Sequence, residues 1–463
     1  MGEQARGTGR RFAPRRRRWP KVLAIVAIVV TLAAAGSAVY VAQLAARFNG
    51  NVRRSDALSR ALTEQSASPS ASAVPKLSKD TNVLIMGLDS RLDENGNPLP
   101  QDIQDALHAG DDSVGFYNAN VLMLVHIPAD GSQSTAVSIP RDDYVQTAGF
   151  PGAGFMAKVK EAYSYGFAAE QSTLLAQGKP NDDATYQSAR DAGRAAEIAT
   201  VSQFLGGVQI DHFVEITMVA FYQVALAIQP ITVCVNRATQ DTFSGADFRA
   251  GMQQINAQQA MSFVRQRRDT SDPTYNFTDL DRSRRQQAFI ASVLHQLKQA
   301  GTLTDLPKME AVLDAVSKNM AIDRGLDLLE FSQQASSLRG GNISFTTLPI
   351  LGFGTSPEGA SINLVDVGQI RATVRDLLAP KPPQPTTPPP AIPTPAASTP
   401  AASASASSES GGEASSGGTD STGAAAPSSS LSPDAASTTA SPAPTTYADW
   451  QGPLQGGGIP CVK

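Results

Sequence analysis

The chain has 463 residues and a formal net charge of −4, from 38 Lys and Arg set against 42 Asp and Glu. So nearly balanced a charge excludes a generic nucleic-acid binder, which needs a basic face. Once biased segments are set aside, the length leaves room for one large or two small domains.

Arg15, Arg16, Arg17 and Arg18, followed by Trp19, Pro20 and Lys21, stand directly before Val22 to Ala46, a stretch with no charged residue. A bilayer takes roughly 20 apolar residues to cross, and segments rich in Arg and Lys stay cytoplasmic. The expectation is a basic cytoplasmic N-terminus over 1–21, a transmembrane helix over 22–46, and everything after Arg47 outside the cell. Ala33 and Ala35 offer an A-x-A cleavage site. The apolar run is longer than the roughly 7–15 residues of a signal-peptide core, which favours a retained anchor. Residues 47–78 read as a linker, with Ser66 to Pro75 rich in Ser and Ala. At the far end, 380–463 reads as a disordered tail. Pro380 to Thr446 is almost entirely Pro, Ala, Ser, Thr and Gly, too poor in large apolar side chains to offset the entropy of ordering it.

The folded core is then 79–379. "TNVLIMGLDS" and "NANVLMLVHI" are apolar, β-branched runs bounded by polar residues, and "STAVSIPRDDYV" is a third strand ended by Pro140. Helical and strand patterns alternate after that: Ala195 to Leu205 as helix, "DHFVEI" as strand, Met218 to Ile228 as helix, "ITVCV" as strand. The alternation predicts an α/β fold, a sheet covered by helices on both faces. Cys234 lies in the last of these strands and Cys461 beyond the tail; a disulfide, or a buried thiol plus a terminal one, both suit the spacing. His108, His126, His212 and His295 are scattered without metal-ligand spacing. There is no nucleophile elbow and no P-loop.

The chemistry concentrates in "FVRQRRDTSDPTYNFTDLDRSRRQQ", Phe263 to Gln287, with six arginines and four aspartates in twenty-five residues. Thr278 and Asp281 have capping-box spacing, so a helix starts near Asp279. Its apolar stripe, Phe289, Val293, Leu294 and Leu297, continues backwards in steps of three and four to Gln286, Arg285 and Arg282. An inward guanidinium must meet an anion or carry an unmet desolvation cost. Arg265 and Arg267 share a face of a strand or turn, while Arg268 and Arg284 read as solvated. Guanidinium forks and a helix N-terminus suit phosphate oxygens.

"NVLIMGLDSR", "LMLVHIPADGSQSTAVSIPRDDYV", "KVKEAYSYG", "IDHFVEI" and "FVRQR", followed by D-x-x-R-x-x-R-Q-Q at Asp279 to Gln287, occur in the order found in the LytR-CpsA-Psr family, which the chain resembles from about Lys79 to Asp376. The resemblance implies a membrane-anchored extracytoplasmic phosphotransferase with a mixed central β-sheet flanked by helices. It would move a polyprenyl-pyrophosphate-linked glycopolymer to peptidoglycan with Mg²⁺ assisting. Asp89, Arg141 and Arg282 would be catalytic. Arg91, Lys158, Arg265, Arg267, Arg285 and Gln286 would bind the pyrophosphate. Asp89, with Asn120 and Asp279, would stand near the metal. The chain departs from the family pattern at Ala119, Asn120 and Val121, where Ser-Asp-Thr is usual, and at Ile228, Gln229 and Pro230, where Gly-Gly-Val often stands. Leu92 to Tyr117 and Phe167 to Arg190 look like insertions. The tail suits an actinobacterial wall, with arabinogalactan or a teichoic-acid-like polymer as the glycan. A non-catalytic binder of polyprenyl phosphates or anionic polymers that regulates wall assembly is the alternative.

Overall fold

β1 (Arg53–Ser55) and α1 (Ala57–Gln65) come first, then β2 (Thr81–Leu88), α2 (Gln101–Leu107), β3 (Ala119–Ile127) and β4 (Ser134–Ser138). A small hairpin, β5 (Tyr144–Gln146) and β6 (Met156–Lys158), leads to α3 (Ala162–Ala176) and α4 (Asp183–Phe204). β7 (His212–Thr217), α5 (Met218–Ile228), β8 (Ile231–Val235), β9 (Thr239–Asp241), β10 (Ala246–Phe248), β11 (Gly251–Ile255), α6 (Ala257–Arg265) and α7 (Asp279–Gln299) follow. The remainder is β12 (Met320–Asp323), β13 (Ile343–Thr347), β14 (Gly352–Thr355), β15 (Ser361–Leu364), α8 (Val367–Leu378), β16 (Leu454–Gln455) and β17 (Cys461–Val462). This computed structural model describes residues 46–65, 80–108, 117–150, 154–272, 277–299, 317–326, 341–380 and 452–463, with isolated positions between. The expected transmembrane helix lies almost wholly outside them.

Eight strands form a mixed sheet in the order β1-β12-β7-β2-β3-β4-β13-β16. Its centre is apolar on both sides, as a sheet covered twice requires. On β2, Leu84, Met86 and Leu88 pack with Tyr163, Ile198, Phe204 and Ile370, which places α3, α4 and α8 on one face. Val83 points the other way, as do Met123 and Val125 of β3, toward Val233, Phe263 and Phe289. The second face is covered by α5, α6 and α7 and by a smaller sheet, β11-β8-β17.

Both expected boundaries move outward. The segment read as a linker contributes β1, which pairs in parallel with β12, and α1, whose Ala57 and Ala61 are fully buried. Three strand residues and small alanines give too little periodicity to signal a packed element, but the pairing covers an otherwise open sheet edge. The tail also returns: β16 pairs antiparallel with β13, β17 pairs in parallel with β8, and Cys234 is bonded to Cys461. Leu454 and Val462 bury their side chains there. The low-complexity stretch between lies outside the described residues.

α4 begins twelve residues before the predicted Ala195, with Asp182 accepting a hydrogen bond from the Thr185 amide at its N-cap. Its early turns are polar because they are buried by ion pairs instead of apolar contacts. Arg190 and Arg194 are fully buried, and both meet Glu94 and Glu215 at 2.5–2.9 Å. Tyr163 and Tyr186 accept further hydrogen bonds from Arg190, each at 2.8 Å. Glu94 and Arg190 come from the two segments that look like insertions, so the cluster ties those segments together. Burial pushes the Glu215 carboxyl up, but Arg194 and Arg190 outweigh it and hold the group near 2 against an ordinary 4.5. Its contribution to stability is therefore complete above about pH 4.5 and is lost as pH falls toward 2. Glu215→Leu leaves the buried Arg190 and Arg194 one carboxylate short, with Glu94 shared between them, and is expected to cost about 3–5 kcal/mol, read by denaturant unfolding, and to flatten the acid limb of the stability profile.

Candidate active site

Two strand ends and one helix start converge at one end of the central strands. β2 ends at Leu88, and the next residues leave the sheet. Gly87 is required there, since a Cβ would sit 2.8 Å from the Val121 Cβ. Between Gly87 and Leu88 the pairing with β3 shifts, Gly87 opposing Val121 and Leu88 opposing Ala119. Asn120 is the extra residue of this bulge, which re-aims its side chain. Its amide nitrogen donates to Asp89 Oδ2 at 2.6 Å, while Arg91 Nη1 lies 3.1 Å from Asp89 Oδ1.

The second strand end is that of β4, where Pro140 ends the ladder. Arg141 Nε stands 3.4 Å from Asp142 Oδ2 and 3.3 Å from Asp279 Oδ1. Asp142 Oδ1 faces Lys160 Nζ at 2.8 Å and Lys158 Nζ at 3.9 Å. Burial pushes the Asp142 carboxyl up, yet Arg141, Lys160 and Lys158 together hold it below its usual range. Asp143 is the opposite case. It is fully buried, accepts from the Asn363 amide at 3.0 Å, and is raised well above the carboxylate range by burial with Asp142 and Asp279 adding to it.

The third element is the head of α7. Asp281 Oδ2 accepts from the Thr278 amide at 2.7 Å and Thr278 Oγ1 accepts from the Asp281 amide at 3.4 Å, the expected capping box. Asp279 then faces three guanidinium groups: Arg282 Nη2 at 3.0 Å, Arg267 Nε at 3.3 Å, and Arg141. That makes it a counter-ion in this structure, where the sequence reading set it near a metal. Arg282 also donates to the Asn120 main-chain oxygen at 3.3 Å. Burial lowers the Arg282 guanidinium to about 10 against the opposing charge of Asp279, with Arg141 and Arg267 adding to the fall.

Arg265 is the last residue of α6, not part of a strand. It donates to the main-chain oxygens of Leu107 and His108, on the side of Asp89 and Arg91. The structure therefore brings together Asp89, Arg91, Asn120, Arg141, Lys158, Arg265, Arg267, Asp279 and Arg282. It adds Asp142 and Lys160, which the sequence reading left out. Lys160 is two residues from Lys158 in the quoted "KVKEAYSYG", and that spacing was the available signal. Seven cations, Arg91, Arg141, Lys158, Lys160, Arg265, Arg267 and Arg282, stand around Asp89, Asp142, Asp279 and Asp241, so positive charge is in excess. Arg282 Nε and Asn120 Oδ1 are buried with no hydrogen-bond partner, and Arg141 Nε is close to carboxylates without being aligned to them. A cluster of this kind is built to take an anion with several oxygens.

Arg285 and Gln286 are not in it. Arg285 is enclosed by the rings of Phe248, Phe263 and Phe277 at 4.8–5.3 Å and donates to Thr239 Oγ1 at 3.0 Å and to the main-chain oxygen of Lys463 at 2.6 Å. Gln286 donates to the Val264 oxygen at 3.2 Å, pinning α7 to α6. Arg284, expected to be solvated, is buried and donates to Gly452 at 2.9 Å, because the returning C-terminal segment covers that side of the helix. The histidines take ordinary roles, such as His212 against Asp323 and His126 against Asn82. Among the described residues no group of three or more His, Cys, Asp and Glu could hold a metal ion.

The model of the LytR_cpsA_psr family matches residues 45–377. The chain belongs to this family. It is 37% identical over 306 residues to the cell wall biosynthesis protein LcpA of Corynebacterium glutamicum, covering 66% of this chain and 57% of that one. It is 28% identical to the probable cell wall biosynthesis protein LcpB of the same organism, covering 59% and 55%. The chain thus spans little more than half the length of these two relatives. A polyisoprenyl-teichoic acid–peptidoglycan teichoic acid transferase, TagU of Oceanobacillus iheyensis, is 23% identical over 76% of this chain and 91% of its own. Among solved structures, protein gbs0355 of Streptococcus agalactiae is 21% identical with a TM-score of 0.46, covering 65% and 88%, and TagT bound to LI-WTA is 18% identical with a TM-score of 0.44, covering 66% and 93%.

Within this LytR_cpsA_psr chain, two arginines of one motif separate by role. Arg285→Lys loses the fork between Thr239 and Lys463 and is expected to destabilise the fold by about 2–3 kcal/mol in chemical denaturation. Arg282→Lys is expected to leave stability nearly unchanged and to weaken binding of inorganic pyrophosphate, measured by calorimetry, at least tenfold more than Arg285→Lys does, on the order of the loss of one bidentate charge-assisted pair.

Proposed function

We propose that the chain is a membrane-anchored phosphotransferase that ligates a polyprenyl-pyrophosphate-linked cell-wall glycopolymer to peptidoglycan. The observation that carries this reading is the excess of positive charge around the buried Arg282 and Arg141 Nε donors, neither of which has a hydrogen-bond partner, at one end of the sheet. A pyrophosphate between two bulky groups has the charge and the oxygen count to meet it. Arg91, Arg141, Lys158, Arg267 and Arg282 would grip its oxygens and neutralise the charge that builds as the acceptor attacks. A peptidoglycan hydroxyl would form the new O–P bond at the sugar-linked phosphorus, the bridging P–O bond would break, and polyprenyl phosphate would leave. The hydroxyl proton needs a carboxylate. Burial raises the Asp143 carboxyl, Asp142 is ion-paired to three cations and Asp279 to three arginines, whereas Asp89 is ion-paired to Arg91 alone, which leaves Asp89 for that role.

Mg²⁺, when bound, would offset negative charge on the phosphate oxygens. Asp89 and Asn120 Oδ1 would hold it. One carboxylate and one amide fit this ion only with substrate oxygens completing the set, since Mg²⁺ takes one or two carboxylates together with substrate phosphates. The anchor would be Val22 to Ala46 with 1–21 inside. The disulfide from Cys234 to Cys461 supports an oxidising, extracytoplasmic location for the folded part. The corynebacterial relatives support an actinobacterial wall, in which the donor would be lipid-linked arabinogalactan.

Release of polyprenyl phosphate by the full chain, given a lipid-linked glycan and soluble peptidoglycan, is the test. Arg282→Lys is expected to cut the rate by roughly 10²–10³, the scale of losing one transition-state donor. A full-rate variant would return Arg282 to a structural role, and a parent chain that binds donor without turnover would favour the regulatory binder. Asn120→Asp is expected to lower the Mg²⁺ concentration for half-maximal rate several-fold; an unchanged Mg²⁺ curve would place the ion elsewhere.

A further inference from the structure

The outer face of the β5–β6 hairpin carries an aromatic surface that nothing in the cationic cluster uses. Tyr144 pairs with Lys158 and Gln146 with Met156 across the hairpin. Val145 and Ala157 point inward, so Tyr144, Gln146, Met156 and Lys158 share the outer side. Phe155 immediately precedes this strand. Phe155 is 42% exposed, Met156 is 45% exposed and Tyr165 of α3 is 40% exposed. The Phe155 and Tyr165 rings stand edge to face at 4.9 Å.

Large apolar side chains gathered in solvent are costly, and a contiguous group of them marks an interaction surface. This one is also held rigidly. The Thr147 amide and hydroxyl both donate to the Phe155 carbonyl, at 2.9 and 2.8 Å, and the Phe155 amide donates to Thr147 Oγ1 at 3.1 Å. The preceding Gly154 permits that closure, because a Cβ there would meet the Thr147 oxygen at 1.9 Å. An aromatic surface fixed before its ligand arrives has little ordering cost left to meet.

Two carboxylates decide the kind of ligand. Glu161, whose Oε2 accepts from the Lys158 amide of the hairpin at 3.3 Å and whose other oxygen is left for a ligand, and the exposed Glu358 both act on Tyr144 and Tyr165, whose phenols are raised above their usual range by burial and then by these charges. They stay neutral donors. A lipid surface would strip water from the two carboxylates or set them against anionic headgroups. A polyhydroxylated, amide-bearing sugar presents the complement: apolar CH faces for the rings, and O–H and N–H donors for the carboxylates. The surface is continuous with the cationic cluster through Lys158, which belongs to the hairpin face and stands 3.9 Å from Asp142.

We infer that Phe155, Tyr165 and Tyr144, with Glu161 and Glu358, form a saccharide platform that binds a strand of the acceptor glycan and delivers its hydroxyl to the phosphate site. The inference rests on the phosphotransfer reading given above for its acceptor, but the binding itself can be measured without turnover. Binding of uncross-linked, solubilised peptidoglycan strands to the full chain is measured by calorimetry. Phe155→Ala and Tyr165→Ala are each expected to weaken it about tenfold, the loss of one aromatic stacking contact. Phe155→Tyr is expected to keep it. Glu358→Gln, at an exposed position that leaves the fold intact, is expected to weaken it several-fold. Inorganic pyrophosphate binding should be unchanged in all four. Glycan binding lost in the alanine variants supports the platform whether or not the parent turns over, so failure of the phosphotransfer reading would show separately. Equal glycan binding by parent and variants overturns the platform. So does a loss, in the same variants, of binding to phosphatidylglycerol vesicles or of self-association instead.

Discussion

Three guanidinium groups can occupy one water-poor space only if something negative stands among them, and Asp279 is that group. Its oxygens lie 3.0–3.3 Å from Arg282, Arg267 and Arg141, residues that come from three separate parts of the chain. At an effective dielectric of 20, unit charges 4 Å apart interact by about 4 kcal/mol, so repulsion among these cations is not a small term. Asp279 holds its place because the capping box of Thr278 and Asp281 fixes where the helix begins. One carboxylate cannot neutralise three cations. The surplus remains in a partly desolvated site.

The other ionic cluster, under α4, uses the same residue types to the opposite end. There Arg190 and Arg194 meet Glu94 and Glu215, with tyrosine hydroxyls and Asp191 taking remaining donors. Charge and hydrogen bonds nearly close, so the group binds nothing further and serves to fasten two long segments to the fold. Comparing the two gives a physical criterion: completeness of pairing, more than the presence of buried arginine, separates a clamp in the scaffold from a clamp on a ligand.

Much of this was legible in the sequence. The central strands announced themselves as apolar runs, and the helical stripe through Phe289 and Val293 led back to Arg282, which does face the site. The same stripe turned Arg285 inward as well, and it is fully buried, but away from the cationic cluster. Two inward positions three residues apart on a helix look onto different neighbours, and nothing local says that Phe248, Phe263 and Phe277 will enclose one of them. The buried network was illegible for a related reason: Glu94 and Arg194 are a hundred residues apart, and each alone reads as solvated charge. Asn120 could be aligned but not oriented, since its direction depends on a one-residue bulge against β2. The two ends of the fold escaped notice because β1, β16 and β17 are only two or three residues long and draw their stability from the edges they cover.

The returning segment at 452–463 also sets an order of events in biogenesis. It lies some seventy residues beyond α8, so at roughly 5–20 residues per second the ribosome needs on the order of 4–15 s after finishing α8 to supply it. Throughout that interval the outer edges of β13 and β8 have no partner, Cys234 is a single thiol, and Arg285 lacks its main-chain acceptor. The nascent protein therefore passes through a stage with two open strand edges and an unpaired cysteine, the kind of surface that chaperones and wrong-partner thiols engage. Residues far from any chemistry thus decide when the molecule becomes safe to leave alone.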